Sequence, residues 1–220
     1  MRGICLLFLF LLTGCEQLVN PQLESIEPIL VVEAWLTTRK GDTFVRLTKT
    51  LPYNTQDAAP TVSNATVILK DDQDGWWLLT EKNPGYYSPA QIFEGKVGKT
   101  YSLEIVVEQK VIRARSFLPS VPFIDSLKIE YKNLEPPLED GFYLVTYFKD
   151  PPEENYYMWQ IFRNGERIEK DKIFLLEDKE INGQKLSYIF YEKPINPNDA
   201  WTIVFFSLNK SAFDYYKILK

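Results

Sequence analysis

From Leu30 onward, apolar residues recur at every second position, the period of a strand with one face buried. Leu30, Val32, Ala34 and Leu36 alternate with Val31, Glu33 and Trp35, and Tyr101, Leu103, Ile105 and Val107 alternate with Ser102, Glu104 and Glu108. Similar runs predict strands at 43–48, 65–70, 76–80, 86–91 and 111–117, with Asp74-Gly75 as a hairpin turn because both residues tolerate positive φ. Seven short strands in about ninety residues predict an immunoglobulin-like β-sandwich over 29–118. Leu118-Pro119-Ser120-Val121-Pro122 breaks the pattern and reads as a linker. A second antiparallel β domain is expected over 123–220, with strands at 126–131, 142–148, 156–162, 172–176, 186–191 and 201–208. Asn164-Gly165 and Asn182-Gly183 read as its hairpin turns, and Glu135-Pro136-Pro137 and Asp150-Pro151-Pro152 as loops that cannot join a ladder. Helical spacing appears only at the end, where Ala212, Tyr216 and Leu219 predict a short C-terminal helix. The fold class is therefore all-β.

Residues 1–14 break this pattern. Arg2 precedes an apolar run from Ile4 to Leu12, too short for a spanning helix, which needs about 20 residues, but matched to a cleavable signal peptide. Leu12-Thr13-Gly14-Cys15 resembles the bacterial lipobox, in which the cysteine accepts a diacylglycerol before cleavage. Lipidation is expected at Cys15, with 15–28 as a tether, and several acyl chains make attachment effectively stable.

Composition narrows the chemistry. The chain has no histidine, and its two cysteines, Cys5 and Cys15, both lie in the first fifteen residues, which disfavours zinc, haem and histidine-based catalysis in the body. A net charge of −5 without a basic tract argues against nucleic acid as a partner.

In order behind the lipobox come Leu30-Val31-Val32-Glu33-Ala34-Trp35-Leu36, Val45-Arg46-Leu47-Thr48, Ala65-Thr66-Val67, Asp71-Asp72, Gly85-Tyr86-Tyr87 and Gly98-Lys99-Thr100-Tyr101-Ser102-Leu103. Ile124-Asp125-Ser126-Leu127, Phe148-Lys149-Asp150-Pro151 and Asn155-Tyr156-Tyr157 follow. Together they resemble the Bacteroidota lipoproteins that carry domain of unknown function 4249. The resemblance implies an outer-membrane lipoprotein associated with TonB-dependent transporters, and brings no catalytic residues with it. Family members continue past the terminal helix with a Gly- and Pro-containing segment that includes a strand, whereas this sequence stops at Lys220. An unpaired edge in the second domain is the expectation, open to aggregation or to a partner strand. Which face of the membrane the protein occupies stays open, since Glu16 beside Gln17 is all that remains of an acidic surface-export cluster.

Three candidate chemistries remain. Asp71-Asp72-Gln73-Asp74-Gly75 suggests calcium, but Lys70 stands where a ligand is needed and no bidentate Glu follows, so a polar hairpin is preferred. The carboxylate pairs Glu153-Glu154, Glu139-Asp140 and Asp71-Asp72 are sequence neighbours, which point to opposite faces of a strand or sit solvated in loops. No catalytic or metal site is expected, and no cofactor beyond the acyl chains on Cys15. Aromatics are the third: 14 Phe, 13 Tyr and 5 Trp. Trp35, Trp159 and Trp201 read as core. In the doublets Trp76-Trp77 and Tyr86-Tyr87, one ring of each must leave the core, and Tyr156 opposes Tyr157 in the same way. Trp76, Trp77, Tyr86, Tyr87 and Tyr156 are thus candidate ligand or partner aromatics, with packing between domains as the other use.

The expected function is a non-enzymatic, lipid-anchored accessory to a TonB-dependent transporter, capturing an unknown ligand or docking on the barrel. A surface glycan-binding module and a structural envelope lipoprotein are the alternatives.

Overall fold

A computed structural model describes residues 27–52, 55, 57–168, 173–179, 181–191 and 194–220. The leader at 1–14, Cys15 and the tether up to residue 26 lie outside these, as does residue 172 of the strand expected at 172–176. Within them the chain is all-β, with antiparallel sheets and one short C-terminal helix.

The first unit consists of β1 (Leu30–Trp35), β2 (Phe44–Lys49), β3 (Thr66–Asp71), β4 (Trp76–Asn83), β5 (Tyr86–Pro89), β6 (Thr100–Val107) and β7 (Lys110–Phe117). They form one sheet in the order β1-β2-β5-β4-β3-β6-β7. The sheet curls over its own core, because both of its edges reach the same apolar cluster: Leu30 and Val32 of β1 and Ile112 of β7 pack on Leu47, Val67 and Ile105. Lys49 at the end of β2 lies 2.6 Å from Glu108 in the β6–β7 turn, and Gly95 N donates to Thr37 O beyond β1. The sandwich-like body is therefore closed by a single continuous sheet. Alternation carries it: Tyr101, Leu103, Ile105 and Val107 are buried while Ser102 and Val106 face out, and each buried aliphatic side chain contributes roughly 1.5–3 kcal/mol.

The second unit holds β8 (Ile124–Lys132), β9 (Gly141–Lys149), β10 (Tyr156–Arg163), β11 (Glu166–Arg167), β12 (Phe174–Glu177), β13 (Lys185–Phe190), β14 (Trp201–Leu208) and α1 (Lys210–Leu219). Here two sheets face each other. One runs β13-β9-β8; in the other, β10 is flanked by β14 on one side and by β11 and β12 on the other. Phe148, Tyr157, Trp159, Phe174 and Phe190 fill the space between. The Asn164-Gly165 hairpin joins β10 to β11, with φ of 53° and 83°. Asn182-Gly183 corrects an expectation: it is a turn, but β12 pairs with β10 and β13 with β9, so the chain changes sheets there and forms no hairpin.

A seam joins the units. Trp35, expected in the first core, instead meets Phe206 edge-on at 5.8 Å and Tyr216 at 6.2 Å. Asn209 caps α1, its Oδ1 accepting from Ala212 N at 2.8 Å, while its Nδ2 donates to Ser116 Oγ at 2.6 Å. One side chain thus starts the helix and ties it to β7. Asn209→Ala is expected to lower the unfolding free energy by about 1–2 kcal/mol through the lost cap, and Ser116→Ala, which spares the cap, by about 0.5–1.5 kcal/mol. Denaturant titration of both variants checks the order.

Candidate functional site

The five candidate aromatics separate once their strands are placed. Trp77 points inward, edge-on to Phe93 at 4.8 Å and tilted on Tyr101 at 6.3 Å. Tyr87 is buried in the same core, its hydroxyl accepting from Ala65 N at 3.0 Å and donating to Val62 O at 3.2 Å. Tyr156 is buried beneath α1, 4.9 Å from Phe213; its hydroxyl donates to Glu154 at 2.6 Å, and that bond, then burial, pushes it up to about 12. None of these three rings is open to a ligand. Tyr86 is half-buried and stacks on Phe44 at 5.1 Å. Trp76 faces solvent, 66% exposed.

Trp76 stands in a built row. Antiparallel register places Trp76, Lys70, Ser102 and Arg115 side by side across β4, β3, β6 and β7 on the outer face. The next row is Leu78, Ile68, Glu104 and Arg113, in which Arg113 Nε donates to Glu104 at 2.8 Å. The result is an outer face with one large ring, exposed Leu78 and cationic side chains.

The acidic hairpin is a latch. Asp71 Oδ1 accepts from Gln73 N at 3.0 Å and Gly75 N at 2.7 Å, and Lys99 Nζ lies 2.6 Å from Oδ2. The Lys99 bond is the main cause holding the Asp71 carboxyl below its ordinary value. Asp72 Oδ2 accepts from Thr100 N at 3.0 Å. Both Asp71 oxygens and one Asp72 oxygen are thereby used within the protein. Among the described residues, no group of three or more Asp, Glu, His or Cys side chains is placed to hold a metal.

A second acidic pair is more deeply buried. Asp150 and Asp178 lie at one end of the second sandwich, both without solvent contact of note. Tyr157 OH donates to Asp150 Oδ1 at 2.5 Å and Gly183 N to Oδ2 at 3.0 Å, while Asn155 N donates to Asp178 Oδ1 at 2.8 Å. The Asn182 amide, turned so that its nitrogen faces the acceptors, reaches Glu153 O and Asp178 Oδ2 at 2.8 and 3.1 Å. Burial, reinforced by the facing Asp150, holds the Asp178 carboxyl above its ordinary value, and burial followed by the Asp150 bond raises Tyr157. Each carboxylate oxygen points at protein donors. The pair ties the β9–β10 and β12–β13 connections to each other and to Tyr157 of β10. A shallow hollow elsewhere, between Gly41, Thr43, Ser88, Gln91 and Phe93, is lined by no titratable side chain.

Residues 16–220 match the family described as domain of unknown function (DUF4249). The chain belongs to that family. No curated protein and no solved structure matches it. In this DUF4249 chain the motif residues turn out to be structural: Asp150 of Phe148-Lys149-Asp150-Pro151 receives the hydroxyl of Tyr157, and Gly85 at φ 72° brings its backbone against Leu47 O, where a Cβ would sit 2.6 Å away.

Asp150 and Asp178 were not legible as a pair. Asp150 stood before two prolines and read only as a loop, and Asp178 has its acid partner on a different connection. Because the Asp178 carboxyl is raised in the fold, its contribution to stability is full below the ordinary Asp value and is lost as pH rises through the raised one. Asp178→Asn is therefore expected to melt higher than the natural chain at pH 7–8, with the gap closing as the pH falls toward 4. Thermal melts of both proteins across pH check the sign.

Proposed function

We propose that this DUF4249 chain is a non-enzymatic, lipid-anchored protein of the bacterial outer membrane that acts as an accessory to a TonB-dependent transporter, docking by a sheet surface. The observation that carries the reading is the outer face of the first sheet, with exposed Trp76 and Leu78 beside Lys70 and Arg115. Large apolar side chains rimmed by polar ones on a rigid surface suit contact with another macromolecule. The buried acid pair supports a non-catalytic reading, since its oxygens are committed to Tyr157, Gly183, Asn155 and Asn182.

The anchor reading fits the placement of β1. Trp35 ends β1 at the seam, whereas Leu30 begins it at the opposite end, roughly 17 Å away at strand rise. The segment 15–28 could span up to roughly 45 Å when extended. Tethering raises the local concentration of the binding face beside a membrane partner. No helix among the described residues is long and apolar enough to cross a membrane.

Glycan binding is the second reading, favoured by the exposed Trp76 ring standing in a row with the polar side chains of Lys70, Ser102 and Arg115. Purification from native outer membranes in mild detergent tests the first reading: a TonB-dependent barrel is expected with the natural protein and lost with Cys15→Ser. Recovery of the membrane-bound protein alone would overturn it. Under the second reading, polysaccharide shifts tryptophan fluorescence and Trp76→Ala abolishes the shift; an unchanged spectrum for the natural protein removes glycan binding.

A further inference from the structure

A carboxylate taken out of water is ordinarily paired with a cationic side chain or held on a metal ion. Asp71 follows the rule, with Lys99 at 2.6 Å. Asp150 and Asp178 do not. They are 1% and 0% exposed, and among the described residues neither has a lysine or arginine partner. Each faces the other instead, closely enough for a hydrogen bond between the two carboxyl groups.

Three of the four carboxylate oxygens have donors fixed by the fold: Tyr157 OH and Gly183 N on Asp150, and Asn155 N on Asp178 Oδ1. Asp178 Oδ2 has no fixed donor. It is aimed at the amide of Asn182, an exposed residue whose amide turns over about its last bond with little change in shape. With the nitrogen inward, the amide donates to Oδ2 and to Glu153 O. With the oxygen inward, Oδ1 takes the same place, 2.8 Å from Glu153 O and 3.1 Å from Asp178 Oδ2. Glu153 O keeps a lone pair for that side, its other one accepting from Asn155 Nδ2. Three oxygens from two connections then converge with no hydrogen between them, an arrangement that a cation stabilises.

We propose that this point is a calcium site: the ion sits among Asp178 Oδ2, Asn182 Oδ1, Glu153 O and the facing Asp150 carboxylate, and clamps the β9–β10 connection to the β12–β13 connection. Oxygens held about 2.4 Å from one calcium ion and about 72° apart in the plane of its pentagonal polyhedron stand about 2.8 Å from each other. The oxygens here have that spacing. Carboxylate, side-chain amide and backbone carbonyl form a hard, all-oxygen ligand set, whereas magnesium demands a stricter octahedron and keeps most of its waters. The ion supplies the positive charge that the buried pair lacks. Glu153 and Asn182 are exposed, which gives the ion and its remaining water ligands a way in. Two acidic ligands place the affinity in the weak range of extracellular modules, roughly 10⁻⁴–10⁻³ M. The site needs neither the lipid nor the transporter and stands or falls apart from that reading.

Thermal melts of the full chain in mild detergent, with calcium chloride or with chelator, test it. Raising calcium to about 10 mM is expected to lift the melting temperature by about 3–10 °C. Asp178→Asn, expected to melt higher than the natural chain in chelator, loses that lift, and so does Asn182→Ala. Asp72→Asn, on the acidic hairpin of the first unit, keeps it. Asn182→Asp separates an ion ligand from a plain hydrogen-bond partner: its added carboxylate faces Asp178 and lowers the melting temperature in chelator, yet binds calcium about tenfold more tightly. Terbium in place of calcium gives emission excited through Tyr157, whose hydroxyl lies on Asp150; excess calcium removes the emission, and Asp178→Asn never shows it. A melting temperature indifferent to calcium, a lift that survives in Asp178→Asn, or an equal lift from magnesium would overturn the proposal.

Discussion

The arrangement of the second unit hangs on one indole. Trp159 is stacked between Tyr188 of the upper sheet at 4.3 Å and Phe205 of its own sheet at 4.9 Å, with interplanar angles of 19° and 11°. Planar rings in register resist lateral slip, because sliding one sheet past the other trades face contact for empty space that nothing small can refill. The clamp therefore fixes not only the distance between the sheets but their sideways offset. That offset decides which strands are covered on both faces and which are left overhanging.

The same strands work on their other face. While Phe205 turns inward to Trp159, its neighbour Phe206 turns outward to Trp35 across the seam. Tyr157 points to the Asp150 latch and Tyr156 to Phe213 of α1. Because alternate residues of β10 and β14 are committed to opposite sides, a slip of one residue in their register would bury the wrong set everywhere at once. Burial, then the charge of Glu33 of β1, raises Tyr216 to about 12. The two units are coupled through side chains whose orientation the second core already dictates.

Strands were readable wherever burial is one-sided. In β6 the sequence alternates and so does the burial; in β10, from Tyr156 to Trp159, both faces are covered and the run is continuously apolar. The doublet argument required one ring of each pair to leave the core, since neighbours in a strand must diverge, but did not choose which; Trp76 and Tyr86 are the outward members. It could not tell Tyr156 from a surface ring, because α1 and the seam cover the outer face, and helix docking leaves no local signature in the strand it covers. Trp35 was misjudged for the same reason. The Asn182-Gly183 turn was readable as a turn, but a turn dictates only local geometry; whether the next strand pairs with the last is decided by the sheet that offers an open edge. The Asp150–Asp178 pair was invisible because its two members come from different connections, joined only by tertiary structure.

An exposed face and an exposed edge make different demands on a partner, and the fold presents both at a distance from each other. The Trp76 face offers side chains on a finished sheet, all of whose backbone groups are paired within it, so recognition there depends on ring contact and charge placement and tolerates lateral variation. The β14 edge offers backbone groups, which demand a fixed direction and a two-residue period from whatever meets them. Among the described residues, β14 carries neither charge nor proline, whereas strands at the other sheet edges, such as β7 and β8, carry charged side chains.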